Sequence, residues 1–152
     1  MYKQSEVRPD PVQETAVAFL CDLFPESRNR LLILHIGMGT GRLAEEMVNK
    51  GFYLIDVVEP SNNAVTDATR CCLYDKVYKC CFSAACVAIP DGMYDIVVWM
   101  QEILGQRIPL EGLSELIRLC KPGGIVVMAV EETHPYTGGY TARLQSAMMD
   151  LE

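Results

Sequence analysis

The feature that most restricts what this chain can become is an apolar run that stops abruptly in alternating glycines. Leu31-Leu32-Ile33-Leu34-His35-Ile36 is followed directly by Gly37-Met38-Gly39-Thr40-Gly41. A short, nearly continuous apolar run bounded by a turn signal suits a strand buried on both faces. Leu43, Ala44, Met47 and Val48 then recur at helical spacing between Thr40 and Lys50, and Gly51 ends the pattern. Strand, glycine turn and helix in immediate succession bring the turn's backbone and the helix's first N–H groups around one space, which favours an anionic group. A second strand, Tyr53 to Val58, ends at Glu59-Pro60. An acid at that point, about twenty residues after the glycines, can accept both hydroxyls of a ribose. Together these parts predict a site for a nucleoside-containing ligand.

The remainder of the chain repeats the alternation. A helix is predicted from Pro11 to Phe24, and another from Ser61, a residue suited to capping, to about Cys72. Val77 to Phe82 reads as a third strand and Tyr94 to Met100 as a fourth, introduced by the turn Pro90-Asp91-Gly92. Pro109 to Cys120 is a helical pattern broken by Lys121-Pro122-Gly123-Gly124. Ile125 to Val130 is a fifth strand, and Thr141 to Glu152 a final helix. Strands alternating with helices mean βαβ units, right-handed crossovers and a parallel sheet covered on both faces. At 152 residues, half of them hydrophobic, the chain suits one α/β domain, residues 1–152, with one core.

Composition removes several function classes. The net charge is -7 and the thirteen basic residues are scattered, which argues against a dedicated nucleic-acid surface. No apolar run is long enough for a membrane span, and the N-terminus lacks the apolar stretch of a secretory signal, so a cytoplasmic or nuclear protein is expected. Seven cysteines, two pairs of them adjacent, do not have the spacing of a zinc site. They read as reduced, buried thiols, and no metal is expected.

The glycine spacing separates two kinds of nucleoside ligand. The dinucleotide fingerprint is G-x-G-x-x-G, whereas this loop reads G-x-G-x-G, with Arg42 where the third glycine would stand. A nicotinamide-dependent oxidoreductase is therefore the less favoured reading. The loop resembles the first motif of class I S-adenosylmethionine-dependent methyltransferases. Pro90-Asp91-Gly92-Met93-Tyr94-Asp95-Ile96-Val97-Val98 and Leu119-Cys120-Lys121-Pro122-Gly123-Gly124-Ile125-Val126-Val127 resemble that family's strand-four and strand-five segments. The resemblance covers roughly residues 10 to 152.

It implies a Rossmann-like doubly wound sheet in strand order 3-2-1-4-5, S-adenosylmethionine as cofactor, and methyl transfer to a small-molecule or protein acceptor. It also implies residue roles. Gly37, Met38, Gly39 and Gly41 would lie under the cofactor's methionine part and ribose, and Glu59 would hold the ribose hydroxyls with Pro60 and Ser61 beside the adenine. Ser83 and Ala84 would flank the adenine edge, and Met100 and Gln101 would sit between cofactor and acceptor. His35 stands where the family usually has an acid near the cofactor's ammonium, and Ser83 where it often has Asp. These two departures motivate an alternative, a catalytically inactive module that keeps the fold. No catalytic side chain is visible, in keeping with a reaction in which the protein mainly aligns an acceptor with a reactive cofactor. The family closes its sheet with two further strands, which the predicted final helix would not supply. A domain truncated at its C-terminus, or a homodimer covering the apolar edge of the fifth strand, is the corresponding expectation.

Overall fold

The computed structural model describes residues 11–37, 39–71, 73–80, 89–100, 110–133 and 140–147. Four helices, α1 (Pro11–Leu23), α2 (Arg42–Asn49), α3 (Asn62–Cys71) and α4 (Leu110–Leu119), alternate with strands β1 (Leu32–Ile36), β2 (Leu54–Val58), β3 (Val77–Tyr78), β4 (Tyr94–Trp99), β5 (Cys120–Thr133) and β6 (Tyr140–Ala147). The strands form one sheet in the order β3-β2-β1-β4-β5-β6. Its first five members pair in parallel, giving the expected 3-2-1-4-5 Rossmann-like arrangement.

Side chains alternate between the faces of a strand, so each strand feeds two cores. Ile33, Ile55, Ile96 and Val127 face Val17 and Leu20 of α1 and Leu43 and Met47 of α2. Leu34, Val58, Val97 and Trp99 face Leu116 and Leu119 of α4. These strands are buried on both sides, which explains why they read as apolar runs rather than as alternating patterns. Arg28 fastens the end of the sheet away from the glycine loop. Its guanidinium donates to the carbonyls of Cys21 and Phe24 at the end of α1 and of Lys50 at the end of α2, at 3.2, 2.7 and 2.9 Å, and lies 5.6 Å from the centre of the Phe52 ring. Fixing the C-terminus of α2 in this way also fixes where its N-terminus points.

The end of the chain corrects the sequence reading. Tyr140–Ala147, of which Thr141 onward was predicted as helix, is a strand antiparallel to β5, in register from Val126 opposite Ala147 to Thr133 opposite Tyr140. Tyr140, Leu144 and Ala147 have helical spacing, but Tyr140, Ala142 and Leu144 also alternate with Thr141, Arg143 and Gln145, so the pattern fits either state. The N–H and C=O groups along the edge of β5 decide the matter, because they offer a ready template for another strand. Among the described residues the sheet therefore adds a sixth, antiparallel strand to the five parallel ones. The edge that suggested a homodimer is covered by β6 of the same chain.

Lys121-Pro122-Gly123-Gly124 ends α4 as predicted, yet strand pairing begins before it, at Cys120 opposite Tyr94. The register then shifts, with Ile96 opposite Ile125, so the tetrapeptide forms a bulge in β5. A Cβ on Gly124 would lie 2.5 Å from Cys120 Sγ, 2.8 Å from the carbonyl oxygen of Lys121 and 2.9 Å from that of Asp95. Two of these neighbours are backbone atoms that cannot move aside. Gly124→Ala is expected to destabilise the fold by about 1–3 kcal/mol, the usual cost of overfilling a packed site, read as a lower urea midpoint with an unchanged m-value.

Candidate functional site

Parallel pairing brings the carboxyl ends of the strands to one edge of the sheet, and the predicted site residues with them. Ile36, the last residue of β1, is opposite Val58 on one side and Trp99 on the other. Gly37, Glu59 and Met100 therefore leave three adjacent strands at the same level. The turn between β1 and α2 is anchored where Gly37 N–H donates to the carbonyl of Val58 at 2.8 Å. Gly37, Gly39 and Gly41 all have positive φ, at 75°, 58° and 79°. Two of them show why glycine is needed. Gly41 is the N-cap of α2 in the left-handed region and provides no side-chain cap, so the first N–H groups of the helix face the turn without one. A Cβ on Gly39 would meet nothing within 4 Å, so its left-handed backbone, not crowding, is what requires glycine there. The result is a turn of bare backbone in front of a helix N-terminus, suited to a close-lying anionic or polar ligand.

Glu59 is 4% exposed. Its N–H donates to the carbonyl of Tyr78 at 2.9 Å, and its Oε1 accepts from Ser61 N–H at 3.0 Å. The carboxylate is thus held at the mouth of the site by the start of α3. Pro60 and Ser61 are exposed beside it. Met100 is buried in the core shared with α1 and α2, where it continues the row begun by Ile96 and Val98. Met38, Ser83, Ala84 and Gln101 lie outside the described residues.

His35 is 2% exposed. It lies in register with Val57 of β2 and Val98 of β4, two residues before Gly37, on the face covered by α1 and α2. Its Nδ1 has no hydrogen-bond partner. Burial lowers its pKa to about 4, so the ring is neutral at physiological pH. Tyr74, which the sequence reading passed over as loop, lies beside it with ring centroids 6.4 Å apart, and its hydroxyl also lacks a partner. Burial first, then the charges of Cys71 and Glu59, raise the Tyr74 pKa, so the phenol stays protonated. Nothing in Leu73-Tyr74-Asp75 marked Tyr74 in advance, because its position depends on the pairing of β2 with β3.

Asp56 and Asp95 are acids of another kind. Asp56 accepts from Tyr94 Oη at 2.6 Å and from Lys76 N–H at 3.1 Å. Asp95 accepts from Leu32 N–H at 2.8 Å and from Lys121 Nζ at 3.2 Å. Both join strands below the site. Arg118 similarly holds the turn before β4, donating to the Ile89 carbonyl at 2.8 Å and to Asp91 at 2.7 Å while paired with Glu115. The cysteines answer only part of their expectation. Cys21, Cys71, Cys80 and Cys120 are free thiols, but of these only Cys120 is buried and Cys71 is exposed. Burial pushes the Cys120 thiol up to about 11, which keeps it protonated.

The fold and this edge define an α/β domain of the doubly wound, Rossmann-like class. The sequence profile of the methyltransferase domain family matches residues 33–124, and the chain belongs to that family. It is 27% identical over 137 residues to methyltransferase-like protein 27 of Homo sapiens, an alignment covering 90% of this chain and 55% of that protein. It is 33% identical over 101 residues to the ubiquinone biosynthesis O-methyltransferase of Caulobacter vibrioides, covering 65% of this chain and 40% of the relative. The chain thus spans about half the length of these relatives. Among solved structures, the Burkholderia thailandensis 1,6-didemethyltoxoflavin-N1-methyltransferase, with bound 1,6-didemethyltoxoflavin and S-adenosylhomocysteine, superimposes with a TM-score of 0.62 at 17% identity, covering 90% of this chain and 60% of that one. No helix among the described residues is long and apolar enough to cross a membrane.

The burial of His35 has a measurable consequence. Its folded pKa of about 4 lies below the ordinary 6.5, so as pH falls the unfolded chain takes up a proton that the folded chain refuses. The neutral ring's contribution is therefore complete above about pH 6.5 and is lost as pH falls towards 4. Urea unfolding at pH 7 and pH 5 is expected to show a loss of about 2 kcal/mol from this group, which His35→Gln should remove. An unchanged pH dependence in His35→Gln would contradict the assignment.

Proposed function

We propose that this chain binds S-adenosylmethionine at the glycine turn and transfers its methyl group to a small-molecule or protein acceptor. The observation that carries this reading is the turn of three positive-φ glycines before an α2 N-terminus without a side-chain cap, with Glu59 one strand away at the same level. Membership of the methyltransferase domain family supports it, as does the S-adenosylhomocysteine bound by a protein of the same fold. The residues fit such a cofactor: Glu59 suits a pair of ribose hydroxyls, and the unpartnered Nδ1 of His35 suits a polar group beneath the turn. The cofactor, when bound, supplies an electrophilic methyl carbon. This chain's share is to bind and orient. Backbone N–H groups from Gly39 to the start of α2 take the cofactor's polar end, Glu59 fixes the ribose, and Met100 forms an apolar wall where β4 ends. The free thiols suit a reducing compartment such as the cytoplasm.

Calorimetric titration with S-adenosylmethionine, S-adenosylhomocysteine and NAD tests the reading. Heat with the first two and none with NAD is expected. No binding of either sulfur nucleoside at millimolar ligand would remove the proposal, and selective binding of NAD would replace it with the oxidoreductase. Glu59→Ala is expected to weaken S-adenosylhomocysteine binding by about 1–3 kcal/mol, as loss of a charged acceptor should. Because Glu59 also accepts from Ser61 N–H, the melting temperature is measured alongside to separate lost affinity from lost fold.

A further inference from the structure

We propose that His35 and Tyr74 form an uncharged hydrogen-bonding subsite behind the glycine turn, which takes a polar group on the ligand's tail without requiring that group to carry a positive charge. The inference rests on the cofactor reading and concerns what this site selects. Two polar atoms, His35 Nδ1 and Tyr74 Oη, are buried without partners, on rings whose centroids are 6.4 Å apart. Unsatisfied buried polar atoms are costly and rare, and two on neighbouring rings, one of them two residues before the glycine turn, point to a partner that the ligand brings. Their chemistry defines that partner. Burial keeps the imidazole neutral, so one ring nitrogen accepts and the other donates according to tautomer. Burial and nearby negative charge keep the phenol protonated, so it donates or accepts. Neither ring can supply a counter-charge. Together they satisfy a hydroxyl as readily as an ammonium.

Three ligands differing at one atom test this: S-adenosylhomocysteine, its analogue with hydroxyl in place of the α-ammonium, and its analogue with hydrogen there. All three keep the nucleoside and the carboxylate, so contacts with Glu59 and the turn cancel in the comparison. The expected result by calorimetry at pH 7.5 is that the hydroxyl analogue binds within about threefold of S-adenosylhomocysteine and the hydrogen analogue at least about tenfold more weakly, because a site built to hydrogen-bond rejects the analogue that cannot. Tyr74→Phe should reduce that penalty to about threefold or less, with near-unchanged melting temperature. His35→Asp, where it folds, should restore a preference of about tenfold or more for the ammonium over the hydroxyl. An ammonium preference above about tenfold in the unaltered chain would overturn the proposal, as would a hydrogen analogue that binds as well as S-adenosylhomocysteine; both leave the cofactor reading standing. If none of the three binds, the cofactor reading falls and the subsite falls with it.

Discussion

The three segments of the candidate site meet because β1 is hydrogen-bonded in parallel to both β2 and β4, with Ile36 level with Val58 and Trp99. In an antiparallel arrangement the ends of neighbouring strands would leave opposite edges of the sheet. Here the glycine turn, Glu59 and Met100 emerge together, and the crevice outside the carboxyl ends is where ligands bind in such sheets. The register is held by burial on both faces. A one-residue slip of β1 would carry Ile33 and His35 to the α4 side and Leu34 and Ile36 to the side of α1 and α2, rebuilding both cores at once. The site geometry is thus a by-product of core packing, which is why Arg28, clamping helix ends at the other edge, contributes to it.

The same packing gives His35 its character. In a row with Val57 and Val98, an ionised side chain would be strongly disfavoured, and the imidazole responds by remaining neutral. A cationic imidazolium behind the glycine turn would add its charge to the positive end of α2 and oppose a cationic ligand group. Neutrality removes that conflict without restoring attraction. The chemistry of position 35 is therefore set as much by its neighbours as by the residue type.

What was legible in the sequence follows the range of the interactions involved. The buried strands, the glycine turn and α1 to α4 are written in local patterns; the observed limits of β1, β2, β4 and the four helices lie within two residues of those expected, whereas β3 ends four residues earlier and β5 begins five residues earlier than its pattern suggests. The position of Glu59 was legible because the end of β2 is marked locally by Glu59-Pro60. β6 was not, since Tyr140–Ala147 suits a helix or a strand and only the distant edge of β5 decides between them. Tyr74 was not legible for the same reason: its approach to His35 depends on how β3 adds to β2, and no local signal records that.

Acids are the residues most easily misread in such a chain, and the structure separates them on physical grounds. Asp56 and Asp95 are as near to strands as Glu59 is. Each of them, however, has its two oxygens divided between partners below the carboxyl ends: Tyr94 and Lys76 for Asp56, Leu32 and Lys121 for Asp95. Their charge is used to join strands. Glu59 sits one residue past the end of β2, anchored through Ser61 N–H to the start of α3, at the level of the glycine turn. Proximity to a glycine motif in sequence would rank Asp56 nearly as high, being three residues closer. Position relative to the strand end is what makes Glu59, rather than Asp56 or Asp95, the candidate acid of the site.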